Sequence, residues 1–121
     1  SDLNIFDKDV IIDKTVTIGF GNIICKGSIL TTNLEIGNFN HINLNCTVGH
    51  DVQFHDYITV YPGVNISGNV RINDCVEIGT GTKIIQGKEI VKETVIGAGS
   101  VVVKDIVENG TYIGVPAKQM K

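Results

Sequence analysis

The chain has 121 residues, the size of one ordinary domain, and its 42% hydrophobic and 19% charged residues exclude a disordered polymer. No apolar run approaches the roughly 18 to 20 residues that span a bilayer, and residues 1–9 are too polar for a secretory signal. A net charge of −3 argues against a general nucleic-acid binder.

The charge is uneven. Residues 1–60 sum to −4 and residues 61–121 to +1, so a phosphate-bearing ligand would prefer the second half. Cys25, Cys46 and Cys75 form no close-spaced motif. They read as reduced thiols of a cytoplasmic protein.

From Phe6 onward, every sixth residue is large and apolar. In chain order these are Phe6, Ile12, Ile18, Ile24, Leu30, Ile36, Ile42, Val48, Phe54, Val60, Ile66, Ile72, Ile78, Ile84, Ile90, Ile96 and Val102. Ile, Leu, Val and Phe make up only 42 of the 121 residues, so chance does not produce this run. Two residues before each lies a second inward position, as strand alternation demands. It carries mostly small or β-branched residues, such as Val16, Ser28, Cys46, Val64, Val76 and Thr94. The residue after each large one is often Gly, Asn, Asp or Ser, which suits a turn there.

Period six excludes an α-helix, whose period is 3.6. It predicts short strands with a corner every six residues and three hexads to a triangular coil of 18. Residues 18 apart then stack into ladders, for example Ile18, Ile36, Phe54, Ile72 and Ile90. The run spans five to six coils, each burying its face only by stacking on the next. The segment from Lys104 to Lys121 leaves the repeat and contains Pro116, which ends regular pairing. It should cap the last coil, whose bare edge would otherwise invite aggregation.

His41, His50 and His55 are the candidate titrating side chains. By the repeat phase His50 stands at a corner, pointing outward, with Asp51 beside it. A carboxylate next to such a ring can orient it and stabilise its charged form, which suits a general base. The same pair also reads as an ordinary surface His and Asp. Gly68 follows His50 by 18 residues and should lie one strand spacing above it, about 4.8 Å. A backbone N–H there could face developing oxyanion charge beside the base. A plain corner glycine is the other reading.

The repeat resembles that of the hexapeptide-repeat acyltransferases. The stretch from His41 to Gly68, with His41-Ile42-Asn43, Gly49-His50-Asp51, Pro62-Gly63 and Ser67-Gly68, is similar to one branch of that superfamily. That branch holds the sialic acid O-acetyltransferases and the nucleotide-linked amino-sugar N-acetyltransferases. Ile96-Gly97-Ala98-Gly99-Ser100 through Lys104-Asp105, and Gly114-Val115-Pro116-Ala117-Lys118, fit as well.

The resemblance implies an all-β, single-stranded, left-handed parallel β-helix over residues 1–121, acting as an acetyl-CoA-dependent sugar acetyltransferase. It implies His50 as the base, Asp51 as its positioning acid and Gly68 as the N–H donor to the thioester oxygen. Asn43 and Thr59 fall at acceptor-binding positions, where Thr59 replaces a His common in the family. Gly68, Thr80 and Ala98 fall at positions lining the coenzyme. Lys83, Lys104 and Lys118 are candidate contacts to its phosphates.

Thr80 and Ala98 stack at a different corner from Gly68, so one ligand reaches both only in a cleft between neighbouring prisms. A homotrimer with shared sites is therefore expected. The N-terminal nucleotide-binding-like domain that accompanies the family has no counterpart in these residues. The chain is then an excised catalytic domain or recognises its acceptor differently. The acceptor is expected to be a sugar amine or hydroxyl, first of all a nucleotide-linked amino-sugar.

Two other readings stand beside this one. His50 and His55 share the His-x4-His spacing of part of the γ-class carbonic anhydrase zinc site, on the same fold, but a third His is not in register. A non-catalytic trimeric scaffold is the other.

Overall fold

The computed structural model describes residues 3–121 and contains only β-structure. Seventeen two-residue strands run from Ile5–Phe6 (β1) to Val101–Val102 (β17), one in every hexad. Each of the first fourteen pairs in parallel with the strand three further on, offset by 18 residues, as in Thr59↔Glu77 and Val60↔Ile78. The result is a three-faced parallel solenoid of about six turns. The first face carries the strands beginning at Ile5, Ile23, His41, Thr59, Glu77 and Val95. The second carries those from Ile11, Ile29, Thr47, Asn65, Lys83 and Val101, and the third those from Thr17, Glu35, Gln53, Arg71 and Glu89.

Strand alternation places the sixfold apolar series inside. Ile24, Ile42, Val48, Val60, Ile72, Ile78 and Ile90 are fully buried. Each such side chain contributes about 1.5–3 kcal/mol by leaving water. The second inward series joins them in Cys46, Val52, Ile58, Val64 and Val76. Asn22 and Asn40 also occupy that series, fully buried, and form a ladder. Asn40 N–H donates to Asn22 Oδ1 at 2.9 Å, and Ile58 N–H donates to Asn40 Oδ1 at 2.8 Å. Asn40 Nδ2 reaches His55 O at 2.9 Å, so the amides satisfy backbone groups that an apolar residue would orphan.

The corners differ from the sequence expectation in one respect. The left-handed conformation falls three residues after each large apolar residue, not one. It recurs at every sixth position from Gly21 to Gly99, including Asn45 (φ 57°), Asp51 (φ 58°) and Asn69 (φ 58°). The glycines directly after the apolar residue answer to crowding instead. A β-carbon on Gly49 would stand 2.7 Å from Gly68 N, and one on Gly79 would stand 2.6 Å from Ala98 N.

The tail caps the last coil as expected. Ile106, buried, bridges to Ile90 on the third face. Thr111–Ile113 (β18) adds a parallel strand to the first face, and Lys118–Gln119 (β19) folds back on it antiparallel.

Candidate active site

His50 stands on the edge between the second and third faces, after Thr47–Val48 (β8) and before Gln53–Phe54 (β9). The coils below and above hold this corner. Asp51 N–H donates to Thr32 O at 3.0 Å, Gly49 N–H to Ile66 O at 2.8 Å, and Asn69 N–H to His50 O at 2.8 Å. The corner requires a left-handed residue at position 51, and Asp tolerates that conformation well. Its carboxylate meets the ring, with His50 Nδ1 3.0 Å from Asp51 Oδ2. A carboxylate only accepts, so Nδ1 carries the hydrogen, and the neutral ring presents its lone pair at Nε2. Both side chains are about half exposed, at 52% and 49%.

Gly68 is buried one coil above. A β-carbon there would overlap His50 Nε2 and lie 2.7 Å from Cε1. Its φ is not in the left-handed region, so the turn itself does not demand glycine. The imidazole does. Among the described residues the Gly68 N–H has no hydrogen-bond acceptor. On the neighbouring edge the equivalent N–H groups of Asn38 and Asp56 do have one, in Asp56 Oδ1 and Asp74 Oδ1. The His50 edge therefore joins a ring with a free basic nitrogen to an N–H available to a ligand.

The chain is 42% identical over 90 residues to a GDP-perosamine N-acetyltransferase of Escherichia coli O157:H7, covering 74% of this chain and 40% of the relative. It superposes on the acetyltransferase domain of PglB from Neisseria gonorrhoeae, solved with acetyl coenzyme A, with TM-score 0.95 and 28% identity over 98% of this chain and 58% of that one. A histidine-to-asparagine variant of perosamine N-acetyltransferase from Caulobacter crescentus, in complex with CoA and GDP-perosamine, gives TM-score 0.94 and 28% identity over 96% and 55% of the two chains. The chain belongs to the hexapeptide-repeat acyltransferases. No protein-family model matches it. The solenoid is consistent with the left-handed β-helix of these acyltransferases. The chain spans about half the length, or less, of the relatives named here.

The remaining candidates divide between edges. Lys104 lies on the His50 edge, three coils of 18 residues further along. Thr80 and Ala98 stack on the edge between the first and second faces, both exposed, with Gly99 N–H donating to Thr80 O at 2.8 Å. Asn43 is on that edge too, and its Oδ1 accepts Leu44 N–H at 2.8 Å. Thr59 is on the first face, paired with His41 and Glu77. Lys83 Nζ donates to Gly63 O at 3.3 Å, and Lys118 lies in β19 opposite Ile113.

One solenoid thus brings together His50, Asp51 and Gly68, with Lys104 on the same edge three coils away, but not Thr80, Ala98, Asn43 or Thr59. His41, which the sequence left without a role, has its Nε2 3.4 Å from Cys25 Sγ. His50 and His55 occupy opposite edges of the third face. Among the described residues no three His, Cys, Asp or Glu side chains gather as a ligand set.

Proposed function

We propose that the chain carries the catalytic domain of an acetyl-CoA-dependent N-acetyltransferase whose acceptor is a nucleotide-linked amino-sugar, working in the cytoplasm as a homotrimer. The observation that carries this is the His50–Gly68 juxtaposition, a ring nitrogen held against a glycine whose N–H has no partner among the described residues. The acceptor class is supported by the relatives, which act on or bind GDP-perosamine. The unpaired state of all three Cys suits a reducing compartment.

Bound acetyl-CoA would supply an activated thioester. His50 Nε2 would accept the proton lost by the acceptor nitrogen as its lone pair attacks. Asp51 would fix the tautomer and stabilise the imidazolium that forms. The Gly68 N–H would donate to the carbonyl oxygen as negative charge builds there. Cleavage of the carbon–sulfur bond then releases the coenzyme thiolate, which would take that proton from the ring and restore the neutral imidazole.

Thr80, Ala98, Asn43 and Thr59 lie too far round the prism to meet a ligand held at His50 of the same chain. They would complete the site from a neighbouring copy, which is why the reading includes a trimer. Release of free thiol from acetyl-CoA, followed colorimetrically with GDP- and UDP-linked amino-sugars, tests the reading. Thiol release that depends on an amino-sugar nucleotide supports it. Release only with sugar hydroxyls would replace N- by O-acetylation, and no release with either would sink the proposal.

A further inference from the structure

One residue in the core register does not match its neighbours. At the inward position that opens the third-face strands stand Val16, Leu34, Val52, Val70 and then Lys88. Leu34, Val52 and Val70 are exposed by 1% or less, whereas Lys88 is half-buried. A lysine at this register can lay its stem along the apolar series and keep its ammonium in solvent. Among the described residues neither Lys88 nor Arg71 has an acidic partner. The ion pairs are Lys26–Asp9, His50–Asp51 and a long His55–Asp74 contact. Arg71 spends only its Nε, donating to Gln53 Oε1 at 3.1 Å.

Arg71 and Lys88 line one open groove of about 280 Å³ on the third face, together with Asp51, Gln53, Asn69 and Glu89. Its two acids are engaged elsewhere. Asp51 Oδ2 meets the His50 ring, and Glu89 Oε2 accepts from Asn73 Nδ2 at 3.3 Å. Glu89 is also the cross-strand neighbour of Arg71, yet neither cation closes an ion pair with either acid among the described residues. One turn further, Lys104 precedes Ile106 by two residues as Lys88 precedes Ile90, and Ile106 pairs with Ile90. A third cation therefore flanks the same edge. Because Asp51 belongs to both groove and dyad, one end of the groove adjoins the base.

We infer that this groove is a phosphate subsite, in which Arg71 and Lys88 hold a phosphate or diphosphate of a ligand whose reacting end lies at His50. Arg71 offers a planar fork for two oxygens and Lys88 a point charge. The inference rests on the acetyltransferase reading for what happens at that reacting end. Both proposed substrates carry phosphates. Thr80 and Ala98 would hold the donor from another edge, but Gly68 and Lys104 lie on this one, so the titration below decides which substrate's phosphates the groove takes.

Calorimetric titration with inorganic pyrophosphate and with coenzyme A, on the unaltered chain, Arg71→Gln and Lys88→Ile, tests this. Lys88→Ile restores an apolar residue to an apolar register, so its Tm should equal or exceed that of the parent. The expected result is pyrophosphate binding weakened at least tenfold in each variant with coenzyme A binding unchanged. Loss of coenzyme A binding alongside pyrophosphate would uphold the phosphate site and give it to the donor. Pyrophosphate that fails to bind the unaltered chain, or binds both variants equally, would overturn the inference. Coenzyme A binding to the unaltered chain would in that case leave the acetyltransferase reading standing. Pyrophosphate binding without coenzyme A binding would strike that reading and spare the groove.

Discussion

The ring of His50 fills the space that a side chain on Gly68 would occupy, and the backbone at Gly68 gives no other reason for a glycine. Gly68→Ala should therefore push the imidazole aside. Loss of aligned base and N–H should lower kcat/KM about 10²–10³-fold, the usual worth of an oxyanion donor. The clash has a second signature. In a His50→Ala background the same Gly68→Ala change should cost less stability, because its partner is gone. A denaturant double-mutant cycle with no coupling would contradict the contact.

His50→Ala alone should reduce kcat by about 10²–10⁴-fold, the range for a general base. The side chain is about half exposed, so Tm should barely move. A variant as active as the parent would remove His50 from the chemistry.

Ile72 is fully buried, between Phe54 and Ile90 in the third-face ladder. Ile72→Asp should abolish folding, since the carboxylate would enter the core without a partner. A cooperative melt near the parental Tm would contradict the stacked-coil account.

Asn40→Leu should destabilise although leucine is the more apolar residue. The change orphans Ile58 N–H and His55 C=O, each at about 1–3 kcal/mol. Urea midpoints measure this, and an unchanged midpoint would mean that water or a shifted backbone replaces the amide.

Cysteine chemistry should discriminate among the three thiols. Burial pushes the Cys46 thiol up from 9.0. Burial, with the charge of Asp7, pushes Cys25 up as well. Cys75 is exposed and should react first with a disulfide reagent at pH 8. Raised thiols stay protonated in the folded chain while those of the unfolded chain ionise. Their effect on stability is therefore absent below about pH 8 and becomes a loss as pH rises through 9. Rapid labelling of all three thiols in the folded protein would contradict the burial.

The fold was legible because its core repeats. A residue every six along the chain leaves no other regular structure, and the pairing of Ile72 with Phe54 and Ile90 follows from that spacing alone. The corners were less legible. Gly49 reads as the turn residue, yet it is Asp51, read only as the acid beside His50, that has the left-handed φ, while Gly49 answers to the coil above it. Sequence gives a residue's tolerance for a turn, but not which of two neighbouring positions bends. Asn22 and Asn40 were missed for a related reason. Their register marks them as inward, but sequence does not show the backbone groups that their amides satisfy. His50 and Gly68 could be paired by counting 18 residues, but the overlap of ring and glycine needed coordinates. Lys88 carried its own signal, a charge in an apolar series.

Binding of acetyl-CoA tests the central claim most directly. Calorimetric titration of the metal-free chain should give about one site per chain with micromolar affinity. Absence of binding at millimolar acetyl-CoA would contradict the acetyltransferase account.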